Sequence, residues 1–227
     1  MGMRATWDAA AASDRLDAYV GDPATARAEL EGLFGRLGDD PRGGVCLEVG
    51  CGPGRMTPFL AERFARVIAV DVSPAMLEAA RNQVSAPNVE LRLVSGERLD
   101  SVEDAVTDVL ICYLVLQHLP RRAVVLAHLR EFARVLAPAG RAFLQIPVLS
   151  PGLRPRAWRL LRRGAVPFSA LGGGVERQSA YRGFRLTERE LARGLQEASL
   201  RVTAHDESPD SPYRYAREVF LRLEHVA

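Results

Sequence analysis

The sequence contains no lysine, so all 30 of its basic side chains are arginines. Acidic residues number 28, which leaves a formal net charge of +2 at neutral pH. Proteins that bind nucleic acid through its phosphates usually carry a clearer excess of positive charge. We therefore predict no nucleic-acid partner.

Cysteine and histidine are also scarce. The three cysteines, Cys46, Cys51 and Cys112, are an odd number, and two of them fall in segments that are predicted to be buried. A disulfide framework is not expected from this pattern. The four histidines are scattered, and no pair of these side chains has the spacing of metal ligands. We predict that the protein holds no metal.

Long apolar runs are missing as well. No run approaches the roughly 20 residues that a membrane-spanning helix needs, and residues 1–8 lack the basic-then-apolar order of a signal peptide. We therefore expect a cytoplasmic protein without a membrane span. With 227 residues, 48% of them hydrophobic, the chain can bury one substantial core. A single domain, acting as a monomer or homodimer, is the simplest expectation.

What the sequence does contain is a regular alternation of short apolar runs and amphipathic segments. The runs predicted as buried strands are residues 45–49, 67–70, 89–94, 109–112 and 141–146. Helical spacing is found from about residue 24 and in residues 56–65, 74–84, 121–136 and 187–198. This order predicts an α/β fold, a three-layer Rossmann-like doubly wound sheet that is mostly parallel. Residues 201–204 and 217–223 alternate like an antiparallel C-terminal edge hairpin.

A glycine-rich turn follows the first predicted strand. Gly50, Gly52 and Gly54 stand at alternate positions, which lets the backbone pass close to a ligand without interference from Cβ atoms. The helix that follows offers unpaired amide groups and its positive dipole end, so the turn suits a carboxylate or a phosphate. A dinucleotide-binding fingerprint would need glycine at position 55, where Arg55 stands. The hypothesis that the protein binds a dinucleotide and transfers hydride therefore loses its main support in the sequence.

An acidic residue ends the second predicted strand, about 20 residues beyond this turn. A carboxylate at the position of Asp71 can accept hydrogen bonds from both hydroxyls of a ribose. A glycine-rich loop alone is a weak signal, because it is also an ordinary tight turn. The loop and Asp71 together predict a nucleoside-binding site.

Four segments resemble a known family. Residues 48–54, Glu-Val-Gly-Cys-Gly-Pro-Gly, resemble the first motif of class I S-adenosylmethionine-dependent methyltransferases, and residues 67–76 resemble the segment that follows it. Residues 108–119 and 134–140 are similar to later motifs of the small-molecule branch, the methyltransferase type 11-like proteins that include the quinone-biosynthesis enzymes. The resemblance covers about residues 45–146. It implies S-adenosylmethionine as cofactor and methyl transfer to an O, N or C atom of a small organic acceptor.

The resemblance also implies the parts of the cofactor site. The backbone around Gly50 and Gly52 would hold the methionine part of the cofactor, Asp71 the ribose hydroxyls, and Met76 would lie by the adenine. The predicted cofactor-binding residues are Glu48, Gly50, Cys51, Gly52, Gly54, Asp71, Val72, Met76, Ser95, Gly96, Glu97, Cys112 and Tyr19.

Three of these residues have a second interpretation or depart from the family. The family often has an acid where Ser95 falls, which puts the contact to the adenine's exocyclic amine in question. Glu48 would orient the loop or the cofactor's amino group, or it is a buried structural acid. Tyr19 lies with Trp7 in an N-terminal segment that folds over the cofactor in similar enzymes; both residues would fit a plain core role equally well.

Two side chains are candidate general bases. A sulfonium methyl is already a strong electrophile, so the enzyme chiefly has to align the acceptor and exclude water. A base is needed only for a hydroxyl, ammonium or carbon-acid acceptor. Tyr113 directly follows the fourth predicted strand and His118 opens the next helix, so these two are the catalytic candidates. The alternative for His118 is a packing or capping role at the helix entry. His128 is assigned to the surface or core without a function.

The single domain is divided by its composition into four segments. These are a helical cap (1–43), the cofactor-binding core (44–147), a lid insertion (148–184), and a C-terminal helix with edge strands (185–227). The insertion is rich in Pro, Gly, Ser and Arg, with residues 158–163 as its only helix-like piece, and such insertions near the ligand edge of a sheet are natural lids.

Arginines cluster within the predicted lid. Arg154, Arg156, Arg159, Arg162 and Arg163 are interleaved with Trp158, Leu160 and Leu161. The usual meaning of such a run is a solvated helix face, whereas contact with an anionic acceptor or a membrane surface is the alternative.

Other activities on the same fold stay open to different degrees. A nucleic-acid methyltransferase would carry an Asn/Asp-Pro-Pro-aromatic motif after the fourth strand, and residues 112–115, Cys-Tyr-Leu-Val, do not match it. A cofactor-dependent cyclase or a non-catalytic subunit would show the same cofactor motifs, so the sequence does not separate them from a methyltransferase.

Overall fold

The computed structural model describes residues 3–12, 22–163, 184–208 and 215–226. The α-helices are α1 Met3–Ala11, α2 Ala26–Arg36, α3 Thr57–Arg63, α4 Pro74–Gln83, α5 Arg122–Val135, α6 Leu153–Arg163 and α7 Glu188–Glu197. The strands are β1 Val45–Val49, β2 Arg66–Asp71, β3 Val89–Leu93, β4 Thr107–Cys112, β5 Leu136–Leu149, β6 Leu200–Ser208 and β7 Ala216–His225. Short 3₁₀ helices span Pro23–Thr25 and Leu116–His118.

The strands form one sheet in the order β3-β2-β1-β4-β5-β7-β6. Neighbouring strands from β3 to β5 run parallel, whereas β7 pairs antiparallel with both β5 and β6. The predicted α/β doubly wound sheet with an antiparallel edge hairpin is confirmed. The strand order reverses between β1 and β4, and in open sheets of this kind a crevice for ligands opens there, beyond the carboxyl ends of the strands.

Two hydrophobic cores cover the two faces of the sheet. Successive side chains of a strand point to opposite faces, so Leu47 of β1 packs into one core and Cys46 into the other. Helix α5 buries Phe132 in the first core, and α2 buries Phe34 in the second, where its ring meets that of Phe143 edge-on at 5.1 Å. Each such side chain stabilises the fold by roughly 1.5–3 kcal/mol.

Strand β5 differs from the prediction at both ends. Residues 138–140, between the predicted helix 121–136 and the predicted strand 141–146, form a bulge within the strand, because Thr107 pairs with Leu136 and Val109 already pairs with Arg141. The strand also continues to Leu149, so the first two residues of the expected lid belong to the sheet. Val148 and Leu149 are buried there because β7 pairs along them and Val148 bridges to Leu186.

Helix α6 contains the arginine cluster, and one of its faces is docked. The Trp158 ring lies 5.9 Å from that of Tyr215, and Arg159 forms an ion pair with Glu190. On the other side, 84% of Leu153 and 60% of Leu160 is exposed. Residues 164–183, the rest of the expected lid, lie outside the described ranges.

Three further local features bear on the fold. Thr187 and Glu190 form a capping box at the start of α7. Cys46, Cys51 and Cys112 are buried with free thiols. Among the helices that the structure describes, none is long and apolar enough to cross a bilayer.

Candidate functional site

A pocket opens at the carboxyl edge of the sheet, where the strand order reverses. Its wall takes residues from the loops that follow β1, β2, β3 and β4, from the 3₁₀ helix Leu116–His118, from α5 and from α1. The α/β topology thus places a concave site at the expected point.

The glycine-rich turn after β1 forms one wall of this pocket. The backbone N–H groups of Gly50 and Cys51 both donate to the carbonyl oxygen of Val70, at 2.8 and 3.0 Å. Gly50 and Gly52 have φ values of +72° and +55°, which side-chain-bearing residues rarely adopt. A Cβ atom on Gly50 would come within 2.5 Å of Val115. The turn therefore depends on glycine for its shape and for its approach to the opposite wall.

Asp71 ties this turn to the end of β2. Its Oδ2 accepts a hydrogen bond from the Gly52 N–H at 3.0 Å, and its Oδ1 accepts one from the Ser73 N–H at 2.9 Å. Burial raises the pKa of the carboxyl group, and these backbone donors oppose that shift. Each carboxylate oxygen has a further lone pair, so Asp71 can hold the loop and still accept hydroxyls of a ligand.

Glu48 lies beside Asp71 on the same wall and is also buried. Its Oε2 accepts a hydrogen bond from the Thr57 hydroxyl at 2.7 Å. Burial raises the Glu48 pKa to about 7; the Thr57 hydroxyl and the charge of Arg55 oppose the shift, and the negative charge of Asp71 adds to it. A cationic group bound here would favour the ionised carboxylate.

Arg55 occupies the position where a dinucleotide fingerprint would need glycine. Its side chain is buried, pairs with Glu29 at 2.9 Å and donates to the carbonyl oxygen of Asp22 at 3.3 Å. It therefore joins the turn to the start of α2.

Helix α1 covers the pocket from outside the sheet. Asp8 accepts a hydrogen bond from the Ser73 hydroxyl at 2.5 Å, and Arg4 Nε donates to the carbonyl oxygen of Val72 at 3.1 Å. Trp7 lines the pocket, and its ring meets that of His118 edge-on at 5.0 Å. Tyr19 lies outside the described residues, so its predicted contact stays a prediction.

The segment after β4 forms the opposite wall. Leu114 has φ +58°, and its N–H donates to Gln145 Oε1 at 3.2 Å, while Gln145 Nε2 donates to Glu218 at 2.8 Å. A left-handed leucine is costly and persists only where its surroundings fix it. The buried Gln145 side chain therefore holds this wall in place.

Both catalytic candidates line the pocket on this wall. Burial, followed by the charges of Glu29 and Glu218, raises the Tyr113 pKa to about 12. Tyr113 consequently keeps its proton at neutral pH and can donate a hydrogen bond. The His118 Nε2 atom lies 3.2 Å from the Gln117 amide nitrogen. An amide nitrogen donates, so this ring nitrogen accepts a hydrogen bond.

Several predicted cofactor residues do not reach the pocket wall. Ser95 is exposed and bonds to Arg98, and the exposed Glu97 pairs with Arg121 at 3.1 Å. The residues brought together on the wall are Glu48, Gly50, Cys51, Gly52, Asp71, Val72, Met76 and Gly96. Gly54 instead faces Val84 at the end of α4, and Cys112 is enclosed within the sheet.

The structure also places residues on the wall that the sequence did not assign. His128, expected to have no function, is buried there. The other unassigned members are Met3, Val49, Arg55, Met56, Val94, Leu99, Leu114, Val115 and Leu119. Helical spacing marks one face of α5 as buried, but no local signal says that His128 faces a pocket rather than packed side chains.

Comparison with known proteins agrees with this geometry. The family model of a methyltransferase domain matches residues 47–144. Residues 47–144 are thus similar to a methyltransferase domain. The matched segment begins in β1 and ends in β5, so it includes the glycine-rich turn, Asp71 and the wall after β4.

Two curated relatives resemble this domain. One is the ubiquinone biosynthesis O-methyltransferase of Xanthomonas axonopodis pv. citri, 32% identical over 117 residues, or 51% of this chain and 47% of the relative. The other is the trans-aconitate 2-methyltransferase of Methylobacterium nodulans, 36% identical over 128 residues, or 55% of this chain and 46% of the relative. The chain thus spans about half the length of the curated relatives it matches.

A solved structure extends the likeness to the whole fold. A SAM-dependent methyltransferase from Leishmania major has a TM-score of 0.68 with this chain, at 16% sequence identity. The match covers 97% of this chain and 80% of the other. At this identity the likeness shows a common fold, including the C-terminal strands beyond the methyltransferase domain.

Proposed function

We propose that the pocket binds S-adenosylmethionine and that the chain transfers its methyl group to an O, N or C atom of a small organic acceptor. One observation carries the proposal: Asp71, at the end of β2, holds the glycine-rich turn through the Gly52 N–H at 3.0 Å. The glycine-rich turn and Asp71 thus meet where the strand order of the sheet reverses, and a nucleoside would lie there. The names of the curated relatives, both small-molecule methyltransferases, support it.

The residues on the wall fit the parts of this cofactor. The turn at Gly50 and Gly52 would lie along the methionine part, and Glu48 would accept hydrogen bonds from its amino group. Asp71 would accept both ribose hydroxyls, and Met76 and Gly96 would flank the adenine. Tyr19 is proposed to join the cofactor site from the N-terminal segment.

The bound cofactor supplies a methyl group on a positively charged sulfur. Held by the glycine-rich turn, Glu48 and Asp71, the cofactor would offer its methyl carbon to an electron pair of the acceptor, and the electron pair of the carbon–sulfur bond would remain on sulfur. The chain contributes alignment and exclusion of water. The wall after β4, fixed by the hydrogen bond from Leu114 to Gln145, would align the acceptor.

The two catalytic candidates are proposed for different roles. Tyr113, with its pKa raised to about 12, keeps its proton and can donate a hydrogen bond to the acceptor. His118 Nε2 can take a proton from the acceptor once the acceptor replaces the Gln117 amide as its partner. A carboxylate acceptor would need no base.

The remaining features of the proposal concern the rest of the chain. Residues 150–184, the predicted lid 148–184 without the two residues that belong to β5, are proposed to cover the acceptor, with α6 anchored by Trp158 and Arg159. We propose that the protein acts in the cytoplasm, as a monomer or homodimer, without a nucleic-acid partner.

The experiment is transfer of an isotopically labelled methyl group. The purified chain is incubated with methyl-labelled S-adenosylmethionine and a panel of small phenols, carboxylic acids and amines, and products are analysed by mass spectrometry. The proposal expects S-adenosylhomocysteine to form together with a labelled acceptor. Cofactor binding without label in any product, or an acceptor that is converted without gaining label, would instead favour a non-catalytic subunit or a cyclase.

A further inference from the structure

His128 places a fixed hydrogen-bond acceptor on the pocket wall. The residue lies in the middle of α5, is 4% exposed and lines the pocket. Its Nδ1 atom is 2.9 Å from the carbonyl oxygen of Val124. A carbonyl oxygen can only accept, so Nδ1 carries the proton. Burial lowers the His128 pKa, so the ring is neutral and its Nε2 atom presents a lone pair.

This lone pair is not used by the part of the chain that the structure describes. Among the described residues, the His128 ring forms one hydrogen bond, to the carbonyl oxygen of Val124. A buried polar atom without a partner is costly, whereas one that faces a ligand site can be satisfied by the ligand.

The loop after β3 lies against the helix that carries His128. Glu131 Oε2 accepts a hydrogen bond from the Leu99 N–H at 2.8 Å, and Arg134 donates to the Leu99 carbonyl oxygen at 2.9 Å. These bonds hold the loop against α5. His128 precedes Glu131 by three residues, so both lie on the same face of the helix. His128 therefore lies on the face of α5 that carries Glu131, and it lines the same pocket as Leu99 and Gly96.

The side chains of the loop itself do not supply an acceptor to the pocket. Ser95 is exposed and bonds to the backbone of Arg98. Glu97 is exposed and pairs with Arg121. The position where the family often has an acid thus faces solvent.

We propose that His128 Nε2 accepts a hydrogen bond from the exocyclic amine of the cofactor's adenine and thereby selects adenine among nucleosides. The inference rests on the proposed function, because it needs the nucleoside in this pocket. It assigns to α5 a contact that the loop after β3 does not provide. A base with a carbonyl oxygen in place of the amine would set two lone pairs against each other, and a site built for a donor rejects such a ligand.

The test compares two ligands on four proteins by calorimetry. The ligands are S-adenosylhomocysteine and its purine analogue, in which hydrogen replaces the exocyclic amine. Wild type should bind the amine-bearing ligand about tenfold more tightly. His128→Asn can keep the donation to Val124 but removes the acceptor at Nε2, so its preference should fall below about threefold. His128→Gln, which places an oxygen near Nε2, should keep most of the preference. Arg130→Gln, on the exposed side of α5 and off the pocket wall, should keep all of it.

The outcomes separate a direct contact from a structural role. If His128 only supports α5, its variants weaken both ligands equally and the preference stays at the wild-type ratio, which overturns the inference. Equal binding of both ligands by wild type overturns it as well and leaves the proposed function standing. If wild type binds neither ligand, the proposed function itself fails, and the inference fails with it.

Discussion

The two walls of the pocket are built in different ways. At the ends of β1 and β2, two buried carboxylates and a glycine-rich turn are joined by backbone hydrogen bonds over short stretches of chain. After β4, the wall is shaped by Leu114. Its N–H donates a hydrogen bond to Gln145, 31 residues away in the sequence, and Gln145 in turn donates one to Glu218, a further 73 residues away. The first wall is local in sequence and the second is not. A cofactor class can therefore be predicted from a motif, whereas an acceptor cannot.

The largest expected effect comes from the turn. Gly52→Val should abolish detectable binding of S-adenosylhomocysteine, because a β-branched side chain at φ +55° strains the backbone and occupies ligand space. Calorimetry measures the binding. Gly38 has φ +64° and open space around its Cβ position, so Gly38→Val provides the same strain far from the pocket. Each variant should lose about 1–3 kcal/mol of stability. Normal binding by Gly52→Val would show that the turn does not contact the ligand.

The next effect is a pH dependence of the ligand-free protein. The Glu48 pKa is about 7 in the folded chain against 4.5 for the ordinary group. The folded state therefore holds the proton more tightly, and this contribution to stability is complete below the unfolded pKa and is lost as pH rises through 7. The loss amounts to at most about 3 kcal/mol.

Urea unfolding of wild type and Glu48→Gln between about pH 5 and about pH 8 measures this loss. The free energy of unfolding of wild type, relative to that of Glu48→Gln, should fall as the pH rises. Glu131→Gln is the control: hydrogen bonds from Arg134 lower the Glu131 pKa below the ordinary 4.5, so its contribution to stability is lost only at more acidic pH and its difference from wild type should stay constant over this range. Parallel curves for wild type and Glu48→Gln would mean that Glu48 is charged in the empty pocket.

A smaller effect is expected at the end of β2. Asp71→Ala should weaken binding of S-adenosylhomocysteine at least about tenfold, because charge-assisted hydrogen bonds to the ribose are lost. Asp100 also accepts a backbone N–H, from Ser95, yet lies off the pocket wall, so Asp100→Ala should bind normally. Unchanged affinity in a folded Asp71→Ala protein would remove this residue from the site.

The smallest effect on the cofactor is expected from the opposite wall. Gln145→Leu removes the tether of Leu114, so we expect a lower methyl-transfer rate and a change of less than about threefold in cofactor affinity. Glu218, the partner of Gln145, lies near the start of β7, whereas Glu224 lies near the end of this strand. Glu224→Gln is therefore the matched control and should leave the transfer rate and the cofactor affinity unchanged. The methyl-transfer rate and the calorimetric cofactor affinity are measured on the same preparations of wild type and the two variants. A parallel loss of affinity would mean that the two walls are not independent.

The sequence was sufficient for most of the sheet, because its parallel strands are short apolar runs and most of them are separated by segments with helical spacing. It was not sufficient for β5. Pro138 and Gly140 are ordinary turn residues, and only the pairing of Thr107 and Val109 with β5 shows that they form a bulge.

The site was predictable to the extent that it is local. Glu48, Gly52 and Asp71 could be assigned because the β1 turn and the end of β2 meet wherever these strands are parallel neighbours. His128 could not, because its exposure to the pocket depends on where Glu131 holds the loop after β3. Residues 164–183, the rest of the proposed lid, keep their sequence-based interpretation.

The most direct test of the account is a competition between two nucleoside ligands for the pocket. S-Adenosylhomocysteine and the oxidised nicotinamide dinucleotide are titrated separately into the wild-type chain by calorimetry, and S-adenosylmethionine is then added to displace whichever one binds. The account predicts one site per chain for S-adenosylhomocysteine, displacement by S-adenosylmethionine, and no heat from the dinucleotide. Binding of the dinucleotide, with no response to S-adenosylhomocysteine, would contradict it.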